Sequence, residues 1–274
     1  MVVSGHRMKS PLILVTNDDG VESPGLRSAV RALWGLGDLL VVAPCHQWSG
    51  AGRCFPRTTT GAIEPHSLEV EGEPIPAFCV DGSPAQVVLH GILELAPRRP
   101  ALVVAGINYG ENLGADVTCS GTIGAALEAA ANGVPALAVS LQAPKELHLN
   151  LSTQVDFTAA AHFTRFFAQR LLEAPLPPDV DVLKVDVPSS ATPETPWRLT
   201  RQSRRTYYRA VPPNREDLSQ PGRMDYEAWW DPEDLEPDSD IYAVVVDRVV
   251  SVTPLSLDLT SRADRREILR ALGI

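Results

Sequence analysis

The sequence predicts an α/β fold, with a mostly parallel sheet and helices packed on both of its faces. Three observations carry this. Short apolar runs recur along the first two-thirds of the 274-residue chain, at residues 11–16, 39–43, 101–105, 135–140 and 182–187. They lack the alternation of a half-exposed strand, so each reads as buried on both faces. Segments of helical character separate several of them, which calls for right-handed crossovers in a covered sheet.

The first strand, Pro11-Leu12-Ile13-Leu14-Val15-Thr16, runs straight into Asn17-Asp18-Asp19-Gly20. Ser23-Pro24-Gly25 then opens a helix with Leu26, Val30, Leu33 and Trp34 at helical spacing. The second strand, 39–43, stops at Pro44. Ser83 as N-cap and Pro84 in the first turn start another helix, which carries Val87, Val88, Leu89, Ile92, Leu93 and Leu95. After the strand at 101–105 comes an alanine-rich helix from Thr122 to Asn132, closed by Gly133. The strand at 135–140 precedes a helix from Phe157 to Leu172 with a broad apolar face, and the strand at 182–187 follows.

Beyond it the composition shifts to Pro, Arg, Asp and Glu over 188–240, with Tyr207, Tyr208, Trp229 and Trp230 among them. The expectation there is an extension: a strand near 197–203, a long excursion, a strand at 241–246, another at 249–253, and a short terminal helix over 264–272 capped by Asp264. Exposed aromatics in the excursion point to a protein–protein contact. The division expected is a tail over 1–10, a core over 11–190, an extended hairpin or arm over 191–246, and a final strand and helix over 247–274.

Net charge is −10, which argues against a nucleic-acid backbone partner. It leaves room for a single phosphate held by a metal or a helix N-terminus. No apolar run approaches the ~18 residues of a membrane span, and the first ten residues carry no signal-peptide core; a cytoplasmic location is expected. Cys45, Cys54, Cys79 and Cys119 form no CxxC pair and read as free, mostly buried thiols.

In open parallel sheets ligands bind beyond the carboxyl ends of the strands. After the first strand comes Asn17-Asp18-Asp19-Gly20, after the second His46-Gln47-Trp48-Ser49-Gly50-Ala51-Gly52, and after the strand at 101–105 the stretch Gly106 to Gly114, with Asn108 and Asn112. These offer carboxylates, a hydroxyl and amides to one rim, a donor set suited to a hard divalent cation. Adjacent strand residues point to opposite faces. Asp18 and Asp19 reach one ion only if the strand has already ended, which Gly20 permits. Ser120-Gly121-Thr122 opens the alanine-rich helix and presents free N–H groups to an anion. A metal beside a helix N-terminus is the apparatus of phosphoryl chemistry. A dinucleotide dehydrogenase would want GxGxxG after the first strand, where acid stands instead. An aspartyl-phosphate enzyme would show Asp-x-Asp, not an adjacent pair.

At these residues the chain resembles SurE, the survival-protein nucleotidases. The shared motifs are NDDG at 17–20, APxxxxSG at 43–50, GSPA at 82–85, GIN at 106–108, NLG at 112–114, SGT at 120–122 and VSVTPLSLDLT at 250–260. They keep order and spacing over about residues 11–260. The resemblance implies a Rossmann-like three-layer sandwich whose C-terminal arm is used in oligomerisation, giving a homodimer or homotetramer. It implies a phosphatase acting on nucleoside 5′- and 3′-monophosphates by metal-activated water, with one Mg²⁺ or Mn²⁺ per subunit. Asp18, Asp19, Ser49 and Asn108 carry over as metal ligands, with catalysis assigned to Asp18 and Asp19. Asn17, Gly50, Asn112, Ser120, Gly121 and Thr122 carry over to the phosphate and substrate pocket. Gln86 stands where the family usually has Asp, Val87 where it has Cys, and its NVNxP strand reads Lys184-Val185-Asp186-Val187-Pro188 here. The rival to turnover is a non-catalytic nucleotide-binding or scaffold protein that retains the fold.

Overall fold

The computed structural model describes residues 10–149 and 152–274, so nearly all of the expected tail, residues 1–9, lies outside the described residues. In chain order the elements are β1 (Leu12–Thr16), α1 (Pro24–Leu33), β2 (Asp38–Pro44), β3 (Ile63–Val70), β4 (Glu73–Val80), α2 (Pro84–His90), β5 (Leu102–Tyr109), α3 (Gly121–Ala131) and β6 (Ala136–Leu141). They continue with α4 (Thr158–Glu173), β7 (Val182–Val187), β8 (Trp197–Leu199), β9 (Tyr208–Val211), β10 (Asp225–Ala228), α5 (Asp240–Val245), β11 (Val250–Leu255) and α6 (Arg265–Ala271).

Nine strands form one sheet in the order β3-β4-β2-β1-β5-β6-β7-β11-β8. The run from β4 to β7 is parallel, while β3 pairs antiparallel with β4 and β11 with β7. The central strands β1, β5 and β6 are buried along their whole length, as their unbroken apolar runs require. On one face Leu26, Val30 and Leu33 of α1 and Phe163 and Phe167 of α4 pack on Ile13, Val15 and Leu137. On the other, Val87 and Val88 of α2 and Ile123, Ala126 and Ala129 of α3 pack on Leu14, Val103 and Ala138. Burying each of the larger side chains stabilises the fold by about 1.5–3 kcal/mol. Three layers result.

From β1 the chain steps outward to β2 and β4, then crosses back to β5, β6 and β7 on the other side. The reversal falls between β1 and β5. Loops leaving those two strands diverge, and a crevice opens at their carboxyl ends.

Three sequence expectations are corrected, and one stretch that carried none proves to be folded. The segment between the second strand and α2 holds a hairpin, β3–β4, turning through Glu71 (φ +53°) and Gly72 (φ +82°), a pair of positive φ values that suits a two-residue hairpin turn. The strand expected at 241–246 is helix α5. Ser239 caps it by accepting from Tyr242 N at 3.2 Å, and Ile241, Val244 and Val245 cluster with Leu113, Tyr207 and Leu235. The i, i+3, i+4 spacing outweighs the strand preference of β-branched residues. The strand near 197–203 is confined to Trp197–Leu199 and joins the main sheet beside β11. Cys45 and Cys79 are not free thiols but a disulfide, with Cα atoms 4.8 Å apart at the ends of neighbouring strands β2 and β4; Cys54 and Cys119 are free. The aromatics of the extension pack partly on their own neighbours: Trp230 stacks on Tyr207 at 5.8 Å, and the Arg209 guanidinium lies 4.0 Å from the Trp229 ring centre.

Candidate active site

The turn after β1 is closed by one side chain. Asn17 donates from Nδ2 to Gly20 O (3.0 Å) and accepts at Oδ1 from Gly20 N (3.2 Å). Gly20 takes φ +101°, a region that side chains disfavour. The turn carries Asp18 and Asp19, only 3% and 2% exposed. Asp18 accepts from the Thr122 hydroxyl of α3. Asp19 accepts from Gln47 Nε2 (2.9 Å) and from Tyr109 N (3.3 Å). Burial raises the Asp18 pKa to about 6, against the hydrogen bonds from Thr122. Burial, and then the neighbouring Asp18 charge, pushes Asp19 well above its ordinary value. Among the described residues no cationic side chain offsets either carboxylate. A buried carboxylate pair without a protein cation is costly, and a bound proton or a divalent cation would relieve it.

The neighbouring strand ends complete the donor set. Trp48 N donates to Asp18 O at 2.7 Å, which draws the loop after β2 over the turn and brings Ser49 and Gly50 to the rim. In β5 the register against β6 shifts between Ala105 and Asn108, an irregularity of the kind that re-aims a side chain. Asn108 donates through Nδ2 to Tyr109 O (3.3 Å) and Gly110 O (2.7 Å). That commits the nitrogen and leaves Oδ1 as the atom available to a cation. Two carboxylates, a hydroxyl and an amide oxygen fit a hard metal.

Helix α3 starts against the same pair. Ser120 caps it, accepting from Ile123 N at 3.2 Å. A Cβ on Gly121 would lie 2.7 Å from Asp18 Oδ2, so only glycine lets the helix end come this close. Asp18, Ser49, Gly50, Asn108, Asn112 and Ser120 all line one cavity of about 430 Å³. Asp19, Gly121, Thr122 and Asn17 are not among its lining residues. Asn17 is fully buried and spends its amide on the turn, and the Thr122 hydroxyl is spent on Asp18.

Several contributors were not singled out from the sequence. Gln47 also donates to His148 O at 2.7 Å. Lys184, wholly buried, donates to Asn112 O (2.8 Å), Asp186 (2.5 Å) and Asp240 (3.1 Å). It ties β7 and α5 to the loop that carries Asn112. A lysine and an aspartate inside an apolar strand were the available signal. Burial raises the Asp186 pKa to about 6, with Lys184 opposing. His148, Tyr208 and Tyr226 supply another part of the cavity wall. Gln86 does not reach the cavity. Its Oε1 accepts from Ser83 N (2.9 Å) and the Thr59 hydroxyl (3.0 Å), which completes the capping box of α2.

Comparison with known proteins places the chain in a family. The family model described as survival protein SurE matches residues 13–209. The 5′-nucleotidase SurE of Thermococcus kodakarensis is 40% identical over 264 residues, spanning 95% of this chain and 98% of that protein. That of Archaeoglobus fulgidus is 41% identical over 258 residues, spanning 92% and 94%. The crystal structure of the SurE protein from Aquifex aeolicus matches with a TM-score of 0.74 at 30% identity, covering 96% of this chain and 100% of that one.

Proposed function

The chain belongs to the survival protein SurE family, and from this we propose that it is a 5′-nucleotidase, a divalent-metal-dependent phosphatase of nucleoside 5′- and 3′-monophosphates. The observation that carries the reading is the buried Asp18–Asp19 pair, without a protein cation among the described residues, beside a cavity lined by Ser49 and Asn108. Asp18, Asp19, Ser49 and Asn108 would hold one ion per subunit, Mg²⁺ or Mn²⁺. Bound there, such an ion polarises a phosphate oxygen and lowers the pKa of water.

The chain's own groups do the rest. Asp18 and Asp19 are the residues to which we assign catalysis. Thr122 steadies Asp18, while Gln47 and Tyr109 N steady Asp19. We assign the phosphate oxygens to the Asn112 amide and the Ser120 hydroxyl, which line the cavity, whereas Gly121 and Thr122, expected among the phosphate donors, turn their N–H groups to Asp18. Gly50 leaves the rim open, and Asn17 holds the turn. We read the assembly as a homodimer or homotetramer joined through residues 191–246, which expose Trp229 and Trp230, and its location as the cytoplasm. No helix among the described residues is long and apolar enough to cross a membrane.

The test is phosphate release from a panel of nucleoside monophosphates with Mg²⁺, with Mn²⁺ and with chelator. Release should require the metal and vanish in Asp19→Asn. Full release in chelator would overturn the metal-dependent reading. Nucleotide binding without release would favour a binding protein that keeps the fold.

A further inference from the structure

Hairpin β9–β10 lies in the extension, yet two of its tyrosines reach the cavity that holds Asp18. In its register Tyr208 faces Ala228 and Tyr226 faces Ala210. The tyrosines are therefore diagonal neighbours on one face, with rings 5.3 Å apart. Tyr226 stacks on His148 at 6.0 Å and 13°. A carbonyl can only accept, so His148 Nε2 donates to Ala143 O (3.0 Å). Burial lowers the His148 pKa, and the neutral ring then accepts at Nδ1 from the Tyr226 hydroxyl (3.0 Å). Tyr207 is likewise satisfied, donating to Glu111 at 2.6 Å.

Tyr208 is different. Its backbone is seated by donation to Asp116 (2.7 Å), and its ring is wedged edge-on against Tyr207 and His148. Its hydroxyl is buried and has no partner among the described residues. That oxygen is closed to solvent, so Tyr208 meets the cavity with its ring and not with its hydroxyl. No lysine or arginine lines that cavity, whereas Asp18, Glu111 and Asp116 do. The aromatic part of the wall therefore suits a neutral, planar group that packs on rings rather than a phosphate. The volume of about 430 Å³ falls within the roughly 300–1,000 Å³ of small-molecule sites.

We propose that Tyr208 and Tyr226 form the nucleobase subsite of this cavity, their rings packing on the base. The proposal rests on the nucleotidase reading and adds to it a determinant of substrate choice.

The experiment compares AMP with ribose 5-phosphate, which keeps the phosphate and sugar but has no base. In Tyr208→Leu the AMP to ribose 5-phosphate ratio of kcat/KM should fall on the order of ten-fold, the worth of one stacking contact, mainly through KM. Tyr226→Leu should lower the ratio by a similar or larger factor, about 10-fold or more for lost stacking. Thermal melting confirms that each variant folds. A ratio that neither variant moves overturns the proposal. So does an equal fall for both compounds, which would assign the contact to the ribose. Calorimetric binding of both compounds to the Mn²⁺-loaded protein reads the subsite independently of turnover. Tighter AMP binding that Tyr208→Leu abolishes supports it, and equal affinities in the unaltered protein overturn it. AMP held more tightly but never cleaved would defeat the nucleotidase reading and still support the subsite.

Discussion

Gln47 donates a hydrogen bond from Nε2 to Asp19 Oδ1 at 2.9 Å. The same amide nitrogen donates to the carbonyl of His148 at 2.7 Å. One side chain thus links the acidic turn to the segment that bears His148. Gln47→Leu removes both bonds. Groups that orient a metal-holding carboxylate are worth about 10–100-fold in affinity or activity, so Mn²⁺ affinity and turnover of AMP should both drop within that range. Calorimetric titration and phosphate release measure the two. Wild-type values for both would mean that the bond does not position Asp19.

Gly121→Ala gains helix propensity of about 1 kcal/mol. It also places a methyl 2.7 Å from Asp18 Oδ2. Overpacking of this kind costs about 1–3 kcal/mol, and the displaced atom is a carboxylate that should hold the ion. The expected outcome is weaker metal binding with little net change in melting temperature. Undiminished Mn²⁺ affinity would show that α3 can withdraw without disturbing Asp18.

Lys184→Met leaves Asp186 and Asp240 buried without their shared cation. Breaking such a pair typically costs about 3–5 kcal/mol, to be read from urea unfolding. The variant also loses the bond to Asn112 O, so its residual activity should show a raised KM for the nucleotide. A loss below about 1 kcal/mol, less than a broken buried pair costs, would mean that the carboxylates take up protons instead.

The metal-free protein should lose stability as pH rises. Burial raises Asp18 and Asp186 from an ordinary 3.8 to about 6, and it also raises Asp19, Glu111 and Asp116. Between those values the folded chain keeps protons that the unfolded chain releases, so stability declines across that window and is lower above it. Asp81, Asp156, Asp217, Asp225, Glu236, Asp238 and Asp258 shift the opposite way, but they lie at or near the surface and are screened. Urea midpoints in chelator should fall from pH 4 to pH 7, and Mn²⁺ should lessen the fall. A midpoint that rises over this range would contradict the assignment of these groups as buried and raised.

Much of this architecture was readable because the core strands are uninterrupted apolar runs. Asp18, Ser49 and Asn108 each follow such a run closely, so parallel topology alone brings them to one rim. The β3–β4 hairpin escaped notice because Pro65, Pro74 and Pro76 interrupt its alternation and its outer strand is half exposed. The Cys45–Cys79 bridge depends on β4 pairing with β2, and β4 was itself unseen. Helix α5 reads as a strand from its β-branched residues until Leu113 and Tyr207 are placed against it. The aromatic wall could not be foreseen. Tyr208 and Tyr226 meet Asp18 only through the way the extension folds back, and no local periodicity records that.

The cavity is built by three separable stretches of chain: residues 18–120 bring the acidic turn and helix end, His148 and Leu149 add a middle wall, and a short hairpin at 208–228 brings two rings. Selection on diet and selection on chemistry therefore act on different codons. A lineage can exchange that hairpin to admit a new molecule while its cleavage machinery descends unaltered.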